Sequence, residues 1–253
     1  MLSTSVFNRM KISPKRFIAI VLLSGGFNFV WVSCTPTISE VRPAQSDAGV
    51  RIMPLGDSIT QGDRNHNSYR RSLWLKLRQA GYSVNFVGST RSNFLGNAPR
   101  SDFDQDHEGH WGWQVDQVLA QIDAWTRNAK PDIVLLHLGT NDLLRGQRDD
   151  GIITELRQLI EALRRQNPRS IILLAQLIPS VGAENQTQQF NQRIAQLARS
   201  MNSSISPVIV VDQYTGFNAT QDTYDGLHPN ASGEEKMAAR WFDALQKVLP
   251  KKR

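Results

Sequence analysis

Five times between Arg51 and Val248, a short unbroken apolar run gives way to a longer segment whose apolar residues recur at helical spacing. The runs are Arg51–Leu55, Val84–Gly88, Ile133–Leu138, Ile171–Ala175 and Val208–Val211. Apart from Arg51, Asn85 and His137 the runs are continuously apolar, which is how strands covered on both faces read. The segments between them carry Tyr69, Leu73 and Leu77 up to a stop at Gly81, then Val115, Val118, Leu119, Ile122 and Trp125 as one helix. Further on come Ile152, Leu156, Leu159, Ile160 and Leu163, and then Phe190, Ile194, Leu197 and Met201. A closing helix buries Met237, Trp241, Leu245 and Val248, its start expected at a capping box opened by Ser232 and closed by Glu235. Strand and helix in alternation predict an α/β fold in three layers, a five-stranded parallel sheet with helices on both faces. Ligands of such sheets bind beyond the carboxyl ends of the strands. No repeat or second domain interrupts the pattern, so residues 51–250 read as one domain.

The residues before that domain read differently. Arg9, Lys11, Lys15 and Arg16 precede an uncharged, mostly apolar run from Phe17 to Val32, followed by Cys34. Residues 1–34 therefore read as a signal peptide or a membrane or lipid anchor, and residues 35–50 as a linker. Val32-Ser33-Cys34 resembles the lipid-attachment box of bacterial lipoproteins, with Trp31 where leucine is usual. Cleavage elsewhere, with Cys34 discarded, is the alternative. Either way the chain is expected to be exported: secreted, periplasmic or tethered to a membrane through its N-terminus. Cys34 is the only cysteine, which excludes an intrachain disulfide and a cysteine-based metal site. Four of the 29 basic residues precede Cys34, so the remainder has 25 basic against 23 acidic groups, a net of +2. That balance gives no support for a nucleic-acid partner.

Chemistry concentrates at two distant points. The first apolar run ends in Gly56-Asp57-Ser58, a hydroxyl at the tip of a tight turn, and Asp225-Gly226-Leu227-His228-Pro229 lies near the other end. A serine needs a base to become nucleophilic, and the base needs a third group to hold its tautomer. Ser58, His228 and Asp225 supply those three roles. An oxyanion forming on the substrate further needs N–H donors. Asn141, just past the most apolar run, offers a side-chain amide, while Gly112 and Ser58 offer backbone N–H groups. The polar stretch from Ser89 to His110 is long for a plain connection and reads as a functional loop. Its cluster of Asp104, Asp106, His107, Glu108 and His110 lacks a metal-ligand spacing, so it reads as hydrogen bonding within the loop, with no metal or other cofactor expected. Asp57, His110, Trp111 and Trp113 are candidates for binding substrate, the indoles through stacking on a sugar ring or, equally, as core packing. His137, inside a buried strand, reads as a hydrogen-bonded core residue.

Gly56-Asp57-Ser58, Gly112, Gly139-Thr140-Asn141-Asp142 and Asp225-x-x-His228-Pro229 resemble the four ordered blocks of the SGNH (GDSL-like) hydrolases. More closely, Tyr69-Arg70, Gly81 to Ser89, Asp106 to His110, Pro131 to His137 and Asp225 to Asn230 resemble the acetyl xylan esterases of carbohydrate esterase family three. The resemblance implies a flavodoxin-like sheet, Ser58 as nucleophile, His228 as base and Asp225 as its orienting group. It places the oxyanion hole at Ser58, Gly112 and Asn141, and it implies an acetylated polysaccharide or oligosaccharide as substrate. Two alternatives stand beside it: a lysophospholipase or thioesterase of the same fold, and a non-catalytic carbohydrate-binding protein.

Overall fold

The computed structural model describes residues 49–250. The signal or anchor expected over residues 1–34, with Cys34, and the linker up to residue 48 lie outside the described residues. In chain order the elements are β1 (Val50–Gly56), α1 (Ser58–Gln61), α2 (Ser68–Gln79), β2 (Val84–Phe86), β3 (Glu108–Gly109), α3 (Val115–Leu119), α4 (Ile122–Ala129) and β4 (Ile133–His137). There follow α5 (Thr140–Leu144), α6 (Asp149–Gln166), β5 (Ile171–Ala175), α7 (Glu184–Met201), β6 (Val208–Val211) and α8 (Ala231–Val248). Val50 already belongs to β1 and pairs with Val84.

The five expected strands are present and all parallel, in the order β2-β1-β4-β5-β6. Side chains alternate between two cores, as a pleated strand requires. Met53, Leu55, Val134, Leu136, Ile172 and Leu174 meet α3, α4, α6 and α7. Ile52, Ile133, Leu135, Ile171 and Leu173 meet α2 and α8. The three-layer arrangement expected from the apolar pattern follows from these two cores.

Three features differ from expectation. A sixth, two-residue strand, β3, pairs with the end of β1 at Leu55 and Gly56, on the edge that β2 leaves open. Two residues carry no periodicity, so nothing local announces it. The single helix expected over Val115 to Trp125 is two, with a break at Ala120–Gln121 beyond which Trp125 stacks on His110 at 4.5 Å. The closing helix is capped by Asn230, whose side chain accepts from the N–H groups of Ser232 and Gly233, while the hydroxyl of Ser232 donates instead to Asp222 Oδ1. The residue two before the expected cap therefore does the capping, and it directly follows His228-Pro229.

From β1 the chain goes out to β2, then returns past β1 to β4 on its other side. The crevice at this reversal is where a parallel sheet binds ligands. At its floor the strands approach so closely that a Cβ on Gly56 would lie 2.3 Å from the His137 carbonyl and 2.5 Å from Thr60 Oγ1. Only a residue without a side chain permits that register.

The four-residue α1 that follows is far too short to persist alone. Asp57 caps its start, accepting from the Ile59 N–H at 3.0 Å. Arg70, fully buried on α2, closes its end by donating to the carbonyls of Thr60 (2.9 Å) and Gln61 (2.8 Å). The same guanidinium reaches Gln105 O at 2.9 Å and Asn93 Oδ1 at 2.7 Å, tying the polar loop to the helix. Burial pulls its pKa down to about 10, which leaves it charged at neutral pH. Replacing Arg70 with Met would strand these buried acceptors. Arg70→Met is expected to lose at least about 2 kcal/mol of stability, read from urea unfolding at pH 7.

Candidate active site

Ser58 is the first residue of α1 and Asn141 the second of α5, each just past the end of its strand. Because Gly56 pairs with His137, the two helices start at the same level of adjacent strands. The N–H of Ser58, at the first helical position, has no acceptor within its own helix. Asn141 Nδ2 donates one hydrogen to Trp113 O at 2.9 Å, which orients the amide and leaves its second hydrogen for a ligand. Gly112 is brought to the same edge because β3 pairs with the end of β1 and the His110 N–H donates to Gly56 O at 3.0 Å. Arg145, following α5, donates to Gly112 O at 3.0 Å and steadies this turn from the other side.

The Asp225–His228 segment arrives from beyond β6 and is braced on both flanks. Asn230 Nδ2 donates to Gln221 O (2.8 Å) and Thr223 O (3.1 Å), the Tyr224 N–H donates to His228 O at 3.0 Å, and Thr223 bridges to Pro229. Between them Gly226 takes a φ of +87°, and its carbonyl accepts from the Val181 N–H. A side chain there would be strained by the backbone and pressed 3.2 Å from Val181.

So held, His228 Nε2 lies 2.9 Å from Ser58 Oγ, and His228 Nδ1 lies 2.7 Å from Asp225 Oδ2. Asp225 Oδ1 also accepts the N–H groups of His228 (2.7 Å) and Leu227 (3.0 Å). Burial opposes ionisation of this carboxyl. The backbone N–H and imidazole of His228 outweigh it and hold the group below the usual carboxylate range. An ionised Asp225 places the proton of neutral His228 on Nδ1, which turns Nε2 into an acceptor for the serine hydroxyl. The arrangement can therefore pass a proton from Ser58 to His228 while the hydroxyl oxygen attacks a carbonyl carbon.

The candidates for substrate binding divide. Asp57 is fully buried as the cap of α1 and cannot meet a substrate, which corrects its assignment. His110 and Trp113 stack on one another at 4.5 Å, and His110 Nε2 donates to Glu108 Oε1, 2.7 Å away. With Trp125 they form an aromatic cluster that packs the turn leading to α3. The ring of Trp111 lies on His228 itself, 4.5 Å between centroids and 18° from parallel, and on Phe94 at 4.3 Å. Loop residues Asp104, His107 and Glu108 hold hydrogen bonds to Phe86, Gly109 and Ser89. His137 is buried and neutral, accepting from the Ile178 N–H, with burial drawing its pKa down to about 4.

Sequence reasoning missed two residues beside the triad. Gln61 ends α1 and accepts the Trp111 N–H at 2.7 Å, and Tyr224 stacks against His228 at 5.7 Å. Tyr224 directly precedes Asp225, which is a signal of position alone; Gln61 offered none.

Two buried carboxyls sit behind the donors. Asp57 Oδ2 and Asp142 Oδ2 have no partner among the described residues, although Oδ1 of Asp142 accepts the Val115 N–H at 3.0 Å. Burial raises Asp57 from its ordinary 3.8 to about 7 and Asp142 to about 6, with Asp142 adding repulsion to Asp57.

The sequence profile of the GDSL-like Lipase/Acylhydrolase family matches residues 55–236. A multidomain esterase of Ruminococcus flavefaciens is 30% identical over 235 residues, which span 83% of this chain and 30% of that much longer protein. Among solved structures, an acetyl esterase mutant crystallised with acetate ion is 33% identical at a TM-score of 0.71, covering 79% of this chain and 97% of its own. A carbohydrate esterase family 3 structure from Talaromyces cellulolyticus has the same identity, TM-score and coverage.

Two expectations follow from the geometry. Asn141→Ala removes one oriented donor and is expected to lower kcat by about a hundredfold or more, with little change in KM. A carboxyl whose folded pKa lies above its unfolded value keeps a proton that the unfolded chain releases. Stability from Asp57 is thus greatest near pH 4 and declines as pH rises toward about 7. Asp57→Asn keeps a cap oxygen for Ile59, so thermal melts from pH 4 to 8 should show the variant gaining on the parent as pH rises.

Proposed function

The chain belongs to the GDSL-like lipase/acylhydrolase family and is a carboxylic ester hydrolase, and on that footing we propose that it removes O-acetyl groups from a polysaccharide or its oligosaccharides. The observation that carries the reading is the hydrogen-bonded line Ser58–His228–Asp225, in a chain one-third identical to an acetyl esterase and a family 3 carbohydrate esterase. In this reading Ser58 Oγ attacks the acetyl carbon and His228 Nε2 takes its proton. The N–H groups of Ser58 and Gly112 and the amide of Asn141 stabilise the oxyanion. As the bond from the acetyl carbon to the sugar oxygen breaks, His228 gives that oxygen the proton, so the sugar leaves as an alcohol and an acetyl group remains on Ser58. A water activated by the same imidazole releases acetate and restores the serine.

A polar surface on the neighbouring loop suits a large polar alcohol. An open hollow of about 730 Å³ runs along Ser89–Ser92, Asn97–Pro99, Ser101 and Gln105, lined largely by hydroxyls and amides. Gln61 links it to the site, donating to Ser92 O at 3.3 Å while holding the Trp111 N–H. A saccharide chain is the kind of alcohol such a surface accommodates. Export through the N-terminal segment would bring the enzyme to such polymers, and mass spectrometry of the mature N-terminus tests that part.

Acetate release from acetylated xylan and from a chromogenic acetate ester is the expected result, with turnover falling sharply once the acyl chain reaches eight carbons. Ser58→Ala should abolish both activities. A preference for long chains would replace this reading with the lysophospholipase or thioesterase one, and sugar binding without turnover would replace it with a carbohydrate-binding one.

A further inference from the structure

The catalytic imidazole is one member of a run of near-parallel rings. Phe94 lies on Trp111, Trp111 on His228, and His228 beside Tyr224 at 16°. Tyr224 in turn stacks on His66 at 4.0 Å and 5°. Trp111 is also held at its backbone, where its N–H meets Gln61 of the same short helix that carries Ser58. Nucleophile and indole are thereby both tied to α1, and the base, held by its own loop, meets both.

We propose that Trp111 is a positioning residue for the general base: its indole face orients His228 toward Ser58 and favours the imidazolium over the neutral ring. The cation exists only after the hydroxyl proton has moved to Nε2, so the stack is worth more in the transition state than in the resting enzyme. An aromatic face attracts a cation through its quadrupole, and an indole does so most strongly. This role leaves Trp111 stacked on two rings at once, instead of presenting it as a platform for a sugar.

Other groups also bear on the charge of His228. Asp225 bonds it from its own loop, and Ser58 faces it from α1. Behind Tyr224 stands Asp63, which accepts the tyrosine hydroxyl at 3.1 Å and lies 2.8 Å from His66 Nδ1. Glu234, on α8, acts on Tyr224 at longer range. Substituting Trp111 leaves all of these in place, so the effect of the indole can be read separately.

The test is a series at one position, Trp111→Tyr, Trp111→Phe and Trp111→Leu, with kcat and KM measured from pH 4.5 to 9 on a chromogenic acetate ester. Trp111→Leu is expected to lower kcat about three- to thirtyfold with KM unchanged, and the aromatic variants to fall between it and the parent. The acidic limb of kcat/KM should move to lower pH in Trp111→Leu, because an imidazolium that has lost its stacking partner gives up its proton more readily. Gln61→Ala, which frees the Trp111 backbone while keeping the indole, should reproduce part of the rate loss, and it serves should Trp111→Leu fail to fold. An unchanged acidic limb with full kcat, or a loss confined to KM for acetylated saccharides, would overturn the proposal. The inference rests on the serine-esterase reading alone. Any ester that is turned over reports on it, so a failure of acetyl or sugar preference would appear in the substrate panel and leave this test intact.

Discussion

The close approach of β1 and β4 at Gly56 governs the rest of the molecule. Two parallel strands paired to their last residues deliver whatever follows them to one edge, and here two helix starts follow. A side chain at Gly56 would collide with the His137 carbonyl, so the register depends on its absence. With that register in place, Ser58 and Asn141 become neighbours although 83 residues separate them in the chain. The third strand contact, between β3 and the end of β1, adds the Gly112 turn to the same edge.

Around this edge the structure spends its buried polar groups on order. Among the described residues Arg70 has no carboxylate in its hydrogen-bonded shell; it is surrounded by carbonyls and an amide oxygen that α1 and the polar loop would otherwise leave unpaired. A charged donor with five N–H groups suits such a cluster better than a neutral one. Glu108 plays the converse part, accepting from the N–H and the hydroxyl of Ser89 while contacting His110. These bonds explain how a stretch without helical or strand periodicity becomes an ordered wall of the site. The opposing carboxyls of Asp57 and Asp142 are held for the same local geometry, at a cost that rises with pH.

Much of this was legible beforehand because strands and long helices advertise themselves. The apolar runs at Ile133 and Ile171, and the heptad-like spacing of Ile152, Leu156, Leu159 and Leu163, reflect burial on both faces and on one face respectively. The short elements left no such record. A four-residue helix, a five-residue helix and a two-residue strand are too short to repeat a period, and each exists because its neighbours hold it. The capping residue of α8 was misplaced for a related reason. Asn230 and Ser232 are both good caps, and the choice between them was made by Asp222, which takes the serine hydroxyl.

By itself, then, the order of residues determined the alternation of strand and helix, the two-sided core, and the identity of Ser58, Asp225 and His228 as a set able to do acyl chemistry. Those properties depend on local composition and on which functional groups are available, and both can be read along a line. The tertiary structure alone decided that Asp57 faces inward, that Trp111 lies on the base, and that Gln61 and Tyr224 join the site. Such placements arise from contacts between segments up to 170 residues apart, as between Ser58 and His228, and no spacing within either segment encodes the distance across.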